Sequence, residues 1–257
     1  MKKENNIALI WDVLLHFMYP QEYAESLAEF LKKKKAHSIL DASCGTGFPS
    51  IELAKKGFNV IGADADEKML ERAKQKSVEQ CAKLEFMKVD WTKLSKTFTQ
   101  KFDCVMCRGN SLPYAASWGK ESLDIPIARK KIEKAVENFY AVLKKGGICY
   151  IDAAPKVDFL PNHKKEVIFD PLVIDGKSVR MIQRIYHDNK KHIRHWKPIV
   201  EITANGKTKT MWKKYKGYHL GHDILVSLMK KAGFCKVDEY VEIKGEKNYD
   251  VFVGYKK

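Results

Sequence analysis

Arginine is scarce in this chain. Only six of its 47 basic residues are arginine, namely Arg72, Arg108, Arg129, Arg180, Arg184 and Arg194. The net charge is nevertheless +15, a balance that favours nucleic acid, an anionic surface or an acidic small substrate. The guanidinium forks that read bases and grip phosphates are few. The lysines are spread along the chain, with short runs at 32–35 and 144–145, as on a solvated face. Long apolar runs are missing too. None approaches the ~20 residues that cross a bilayer, so no membrane partner is expected.

A disulfide framework is also lacking. Of the six cysteines, Cys44, Cys104, Cys107 and Cys149 lie in or beside apolar, strand-like runs, where a free thiol behaves as a small hydrophobe. Cys104 and Cys107 form a C-x-x-C, but residues three apart on a strand point to opposite faces and do not share a metal. His187, His192 and His195 cluster beside a turn without a zinc-type acid–histidine pattern. No metal is expected, and a reducing, cytoplasmic location is. Repeats and low-complexity linkers are absent. With 257 residues, 45% hydrophobic and 31% charged, the chain can bury a core without staples. We expect one domain over 1–257.

Residues 7–19 follow Lys2 and Lys3 with the outline of a signal segment. Asp12 and His16 interrupt it and no small-residue cleavage site follows, so an amphipathic helix is expected instead. From there to about residue 152, and again after 218, short apolar runs alternate with helix-like stretches, the rhythm of a parallel sheet covered by helices. Strands are expected at 38–41, 59–64, 84–89, 102–107 and 148–152, and helices at 21–34, 49–56, 67–76 and 129–143. Gly57 and the pair Gly146–Gly147 should stop two of these helices. Near the end a helix at 223–231, closed by Gly233, precedes a hairpin of strands at 236–243 and 250–255. Residues 155–216 read differently. Asp175–Gly176, Asp188–Asn189 and Asn205–Gly206 are hairpin-turn pairs, so an antiparallel insertion is expected after the fifth strand. Ligands of open α/β sheets sit beyond the carboxyl ends of the strands, where such an insertion would cover them.

The strongest chemical signal is the Ser-Ile-Leu-Asp-Ala-Ser-Cys-Gly-Thr-Gly run at 38–47. A strand ends in Asp41, and a Gly-x-Gly turn leads into a helix whose free N–H groups suit a negative ligand group. A dinucleotide loop wants a third glycine, and Ser50 holds that place. Asp41 would repel a pyrophosphate and suits a ligand with positive charge, such as an amino-acid moiety or a sulfonium. Asp64, ending the second strand, can accept both hydroxyls of a ribose. After the third strand, Asp90 can accept an adenine amine, while Trp91 either packs on the ring or belongs to the core.

These motifs at these spacings resemble class I S-adenosylmethionine (SAM)-dependent methyltransferases. The resemblance implies a Rossmann-like, seven-stranded α/β sheet with a reversed last strand. It places SAM against Asp41, Ala42, Gly45, Thr46, Gly47, Asp64, Ala65, Met69, Asp90 and Trp91. Arg-Gly-Asn-Ser at 108–111 is similar to the glycine and glycine/sarcosine N-methyltransferase group, which carries Gly-Asn-Ser here and an antiparallel insertion after strand five. The likeness implies that Asn110 lies beside the methyl acceptor, that Tyr23 lies near the cofactor, and that 7–23 forms an N-terminal lid. It also admits a homo-oligomer. Departures are specific. Tyr114 stands where the group has a histidine, Arg108 where it is apolar, and Ala154 where it has the arginine that grips the glycine carboxylate.

Transfer from a sulfonium needs orientation and exclusion of water more than a base. Asn110 and Tyr114 are the expected acceptor-orienting groups, and His219 is a candidate base or a packing residue before the last helix. Arg108 is expected beside the cofactor, or at an acidic group of the substrate, or in a structural ion pair. Arg180 and Arg184 share one strand face and would replace the missing clamp if that face turns inward. The expected acceptor is a small molecule methylated at nitrogen. A nucleic-acid base is the alternative, although 110–114 is not the N-P-P-Y arrangement used on base amines and no stacking platform is evident.

Overall fold

Two sheets with different hydrophobic patterns organise the chain. The computed structural model describes residues 7–20, 22–120, 122–160 and 164–257. The first half runs α1 (Ile7–Met18), α2 (Glu22–Lys33), β1 (Ser38–Asp41), α3 (Ser50–Lys55), β2 (Asn59–Asp64), α4 (Glu67–Glu79), β3 (Glu85–Lys88), α5 (Leu94–Thr97), β4 (Phe102–Cys107), α6 (Ile125–Ala141) and β5 (Leu143–Ala153). After an insertion come α7 (His222–Ala232), β12 (Lys236–Asp238) and β13 (Asp250–Tyr255). The sheet order is β12-β13-β5-β4-β1-β2-β3. Strands β1 to β5 are parallel, and β13 runs against β5 with Asp250 opposite Ala153. The expected seven-stranded sheet with a reversed last strand is therefore present.

Central strands are buried on both faces, which is why they read as unbroken apolar runs. Cys104 packs with Leu27 and Leu31 of α2 on one side, and Cys107 with Ile132 and Phe139 of α6 on the other. The C-x-x-C thus splits between two cores, and all six cysteines are free. One boundary shifts. The helix expected at 129–143 starts at Ile125, where Asp124 accepts a bond from the Ile127 N–H at 2.9 Å, and Leu143 already belongs to β5. Gly146 and Gly147 therefore lie inside a strand. Gly146 takes φ +76° beside a register shift between Phe102 and Cys104, the behaviour of a bulge rather than a helix stop. The strand expected at 236–243 ends at Asp238.

The insertion supplies β6 (Lys164–Ile168), β7 (Leu172–Ile174), β8 (Lys177–Asp188), β9 (Ile193–Ala204), β10 (Lys207–Trp212) and β11 (Tyr215–Tyr218). Its path is β10-β9-β8-β6, with β11 on β9 and β7 on β8. Asp175–Gly176 and Asn205–Gly206 make the expected two-residue turns, with φ of +49° and +71°, and +49° and +70°, the left-handed pair of a type I′ turn. The β8–β9 turn instead closes at His192, φ +54°.

Along β8, Val179, Met181, Gln183, Ile185 and His187 are buried while Arg180 and Arg184 are exposed. This inner face packs on Ile10, Val13 and Leu14 of α1. Asp12, the polar break in that helix, accepts from Arg72 Nε at 2.8 Å and pairs with Lys76 Nζ at 3.1 Å, both on α4. The apolar N-terminal stretch is thus an amphipathic helix clamped to the sheet layer. Among the described residues, no helix is long and apolar enough to cross a membrane, and no group of three His, Cys, Asp or Glu side chains is placed to hold a metal.

Candidate active site

The loop after β1 needs glycine at two points. Gly45 has φ +53°, and a Cβ there would lie 2.8 Å from Trp11 Nε1; Gly47 has φ +99°, and its Cβ would lie 2.7 Å from Ile51 Cδ1. Gly45 N–H donates to Asp64 Oδ2 at 3.0 Å, so the ends of β1 and β2 are tied together. Asp41 is held by its own loop. It is fully buried and accepts from Ser50 Oγ at 2.7 Å and Ser43 N–H at 3.3 Å. Its role in the loop is to fix the start of α3. That helix has six residues, and its Ile51 N–H is already bound to the Gly47 carbonyl, so it offers no free donors of the expected kind. Thr46 is buried facing Asp12, and Gly47 packs on α3. Neither borders a cavity.

Beyond the strand ends lies a partly open cavity, about 660 Å³ of empty space with open solvent included, bordered by Ala42, Gly45, Asp64, Ala65, Met69, Asp90 and Trp91 among the expected residues. Asp64 accepts a second bond from Asp66 N–H at 2.9 Å. Burial pushes its pKa up to about 6, against these two N–H bonds. Asp90 caps the turn that carries Trp91, accepting from Thr92 N–H at 2.8 Å and Thr92 Oγ1 at 2.7 Å. Burial opposes its charge, but those bonds and Lys131 at 3.7 Å hold its carboxyl below the usual range. Trp91 is both wall and core. Its Nε1 donates to the Ala42 carbonyl, and its ring meets Phe139 edge-on at 5.9 Å.

A second, smaller and narrow cleft is bordered by Trp11, Tyr19, Ser43, Arg108, Gly109 and Tyr249 among others. Trp11 and Ser43 border both spaces. Arg108 is only 5% exposed. Its Nε donates to the Tyr23 hydroxyl at 2.9 Å, and its guanidinium lies over the Tyr19 and Tyr23 rings at 5.2 and 4.8 Å. Nη2 is buried without a partner, and among the described residues no carboxylate forms an ion pair with it. A buried guanidinium left like this is poised for an anion. Tyr23 itself is fully buried and reaches the site only by holding Arg108.

The expected acceptor residues are dispersed. Tyr114 borders the larger cavity, and its buried hydroxyl interacts with Arg194, which opposes the rise in pKa that burial causes. Asn110 does not reach either space. It is 3% exposed with φ +50°, its N–H donates to Asp152 Oδ1 at 2.6 Å, and its side-chain carbonyl accepts from Ala154 N–H at 3.2 Å. Together with Gly109 N–H on Asp152 Oδ2 at 2.8 Å, this pins the loop after β4 to β5. His219 stacks on Phe159 at 4.8 Å, away from the cavity, and burial lowers its pKa. Arg180 and Arg184 face outward and pair with Glu201 and Glu166. The inward residues of an antiparallel strand are set by register parity, and here the odd positions won. Trp11, Trp118 and Lys131 border the cavity and were not singled out from the sequence. Asp12 within an apolar helix was the one signal that this helix docks against a charged surface.

The donor set fits SAM. Asp64 and the Asp90–Trp91 turn line one space, and an unpaired buried cation lines the other. The loop between them is open only because Gly45 lacks a Cβ. A methyltransferase-domain family profile matches residues 33–217, and the chain belongs to that family, whose methyl donor is SAM. It is 34% identical over 174 residues, 66% of the chain, to a glycine/sarcosine N-methyltransferase of Parasynechococcus marenigrum. It spans about half the length of the curated relatives it matches. The folds of Streptomyces venezuelae DesVI (TM-score 0.75, 19% identity, 98% of each chain) and of the sugar N-methyltransferase KedS8 from a Streptoalloteichus species (0.68, 19%, 92% of this chain and 87% of that one) are similar.

Proposed function

We propose that this protein transfers a methyl group from SAM to nitrogen of a small molecule, with residues 1–257 working as one catalytic unit and 155–216 as its cover. The carrying observation is the pair of joined spaces beyond the strand ends. Bound SAM supplies an electrophilic methyl group on a sulfonium. Asp64 accepts the ribose hydroxyls, Asp90 and Trp91 hold the base, and Arg108 receives the carboxylate of the methionine portion. Trp11, on the helix clamped by Asp12, closes the top and excludes water, which is most of what an in-line displacement asks of a protein. Tyr114 orients the acceptor with its hydroxyl. Asn110 acts indirectly by shaping the loop under the acceptor, and no general base is assigned.

The small-molecule reading rests on the roof. The insertion's inner face packs directly on α1, the helix whose Trp11 borders the cavity. Nitrogen as the target rests on the glycine/sarcosine and amino-sugar relatives. Calorimetry with SAM, S-adenosylhomocysteine (SAH) and NADH tests the cofactor: micromolar binding of the two sulfur compounds alone is expected. Labelled methyl transfer to amines, amino acids and RNA then tests the acceptor class. Transfer to RNA alone would replace the reading by base methylation.

A further inference from the structure

The outer face of the insertion carries a trough that the candidate active site does not use. Residues directly opposite on antiparallel strands share a face, so register sets them in rows across the sheet. One row is Lys164–Tyr186–His195–Lys216, on β6, β8, β9 and β11. The next is Glu166–Arg184–Lys197. A third, Ile168–Ile182–Ile199–Trp212, ends on β10. The first two rows and Lys214 wall an open trough, floored by Ile185, Trp196 and Tyr215 of the opposite parity. It crosses four strands, about 15 Å at the usual strand spacing. The rings of Trp196 and Tyr215 turn the other way, each 6.2 Å from the Tyr114 ring. The sheet therefore lies between this trough and the cofactor cavity.

The trough has charge of one sign. Lys165, of the opposite parity, turns to Asp158 at 3.8 Å. Glu166, the one carboxylate in the lining, is paired with Arg184, which leaves Lys164, Lys197, Lys214 and Lys216 without an ion pair among the described residues. His195 is held below its ordinary pKa by burial and then by the Lys216 ammonium. Aromatic rings stand among these cations. Tyr186 and His195 stack at 5.6 Å and 26°, and Lys164 lies 5.5 Å from the Tyr186 centroid. Beside the trough Trp212 is 42% exposed, with Lys197 and Lys214 at 4.5 and 5.8 Å from its ring. Aromatic side chains among cations on a sheet face are a platform on which unpaired bases stack. An acidic peptide would answer the lysines and leave the rings unused, and a duplex keeps its base faces stacked on one another.

We propose that this trough binds a single strand of nucleic acid. Lys164, Lys197, Lys214 and Lys216 take the phosphates, and Trp212 and the Tyr186–His195 pair take base faces. The bound strand is a partner and not the methyl acceptor, because the sheet separates it from the cavity. The interaction stands independently of the methyl-transfer reading.

The test is fluorescence anisotropy of the full chain with labelled oligouridylate and oligodeoxythymidylate of about 12 nucleotides. Micromolar binding is expected at about 0.05 M salt. Four lysine–phosphate contacts on a single strand imply an affinity loss of about 50-fold between about 0.05 and 0.2 M salt. Lys197→Glu with Lys214→Glu should weaken binding by about tenfold or more. Lys214→Gln alone should weaken it about threefold and serves if the double variant does not fold. Lys74→Glu with Lys83→Glu removes the same net charge outside the insertion and should cost under about twofold, because distant charges are screened. Trp212→Leu should weaken the oligonucleotides about tenfold and leave heparin, a polyanion without bases, unchanged. Unaltered thermal unfolding reports that each variant is folded. No binding at the lower salt, an equal loss from the Lys74 and Lys83 pair, or tighter binding of the matching duplex or of an oligoglutamate peptide would overturn the proposal. So would a Trp212→Leu effect that is the same for heparin and the oligonucleotides.

Discussion

The parallel sheet and the inserted antiparallel sheet place chemistry by different rules. In the parallel sheet, the proposed cofactor residues sit at strand ends. Asp64 ends β2, whose preceding residues 60–63 are buried, and Asp90 caps the turn after β3. In the insertion, burial alternates between faces, and neighbouring residues on one strand have opposite fates. His187 is buried while Arg184 and Arg180, on the other parity, meet Glu166 and Glu201 in solvent. A strand end is visible in a sequence as an apolar run followed by an acid. A face depends on register, and one step reverses it.

This contrast is most strongly tested at Asp64. Replacing it by alanine removes a carboxylate that orders the Gly45 and Asp66 N–H groups and faces the ribose site. SAH affinity should fall about 100-fold, roughly 3 kcal/mol for a charged hydrogen-bonding partner, measured by calorimetry. Retention of wild-type affinity would show that the strand end is not the site.

Arg108→Gln should weaken SAH about tenfold, near 1.4 kcal/mol. Binding of 5′-methylthioadenosine, which lacks the amino-acid portion, should not change. Equal losses for both ligands would mean that Arg108 supports the fold rather than the carboxylate.

Proton effects follow from the raised pKa of Asp64, about 6 through burial. Below that value the group becomes protonated and stops accepting, so SAH affinity should fall by up to about tenfold per pH unit between pH 6 and 5. Stability runs the other way. The folded pKa exceeds the unfolded carboxylate value, so this group's stabilising contribution is fully present below about pH 4 and is lost as pH rises through about 6. Asp64→Ala should flatten both profiles. The smallest effect belongs to the outer face: Arg180→Gln and Arg184→Gln should each change stability by under about 0.5 kcal/mol, as exposed ion pairs do, and leave SAH binding unchanged.

Much of the fold was legible because parallel strands, glycine turns and Asn-Gly or Asp-Gly hairpins announce themselves locally. That Gly45, Asp64 and Asp90 border one cavity was legible for the same reason. Asp41 stands at the expected strand end, and Ser50, read only as a missing glycine, is its hydrogen-bond partner. Arg194 escaped notice because nothing in Ile-Arg-His-Trp at 193–196 says which of the alternating residues points inward. Trp11 escaped because its contacts come from residues 34 and about 100 positions away, at Gly45 and Gly109.

Trp11 has an optical consequence. Its indole meets Trp118 and Trp196 edge-on at 5.9 and 6.1 Å and borders both spaces. With Trp91 in the cavity wall, four of the five indoles in the chain are gathered at the candidate site. Their emission is an unlabelled gauge of occupancy, and Trp11→Phe should remove most of any fluorescence change that SAH produces.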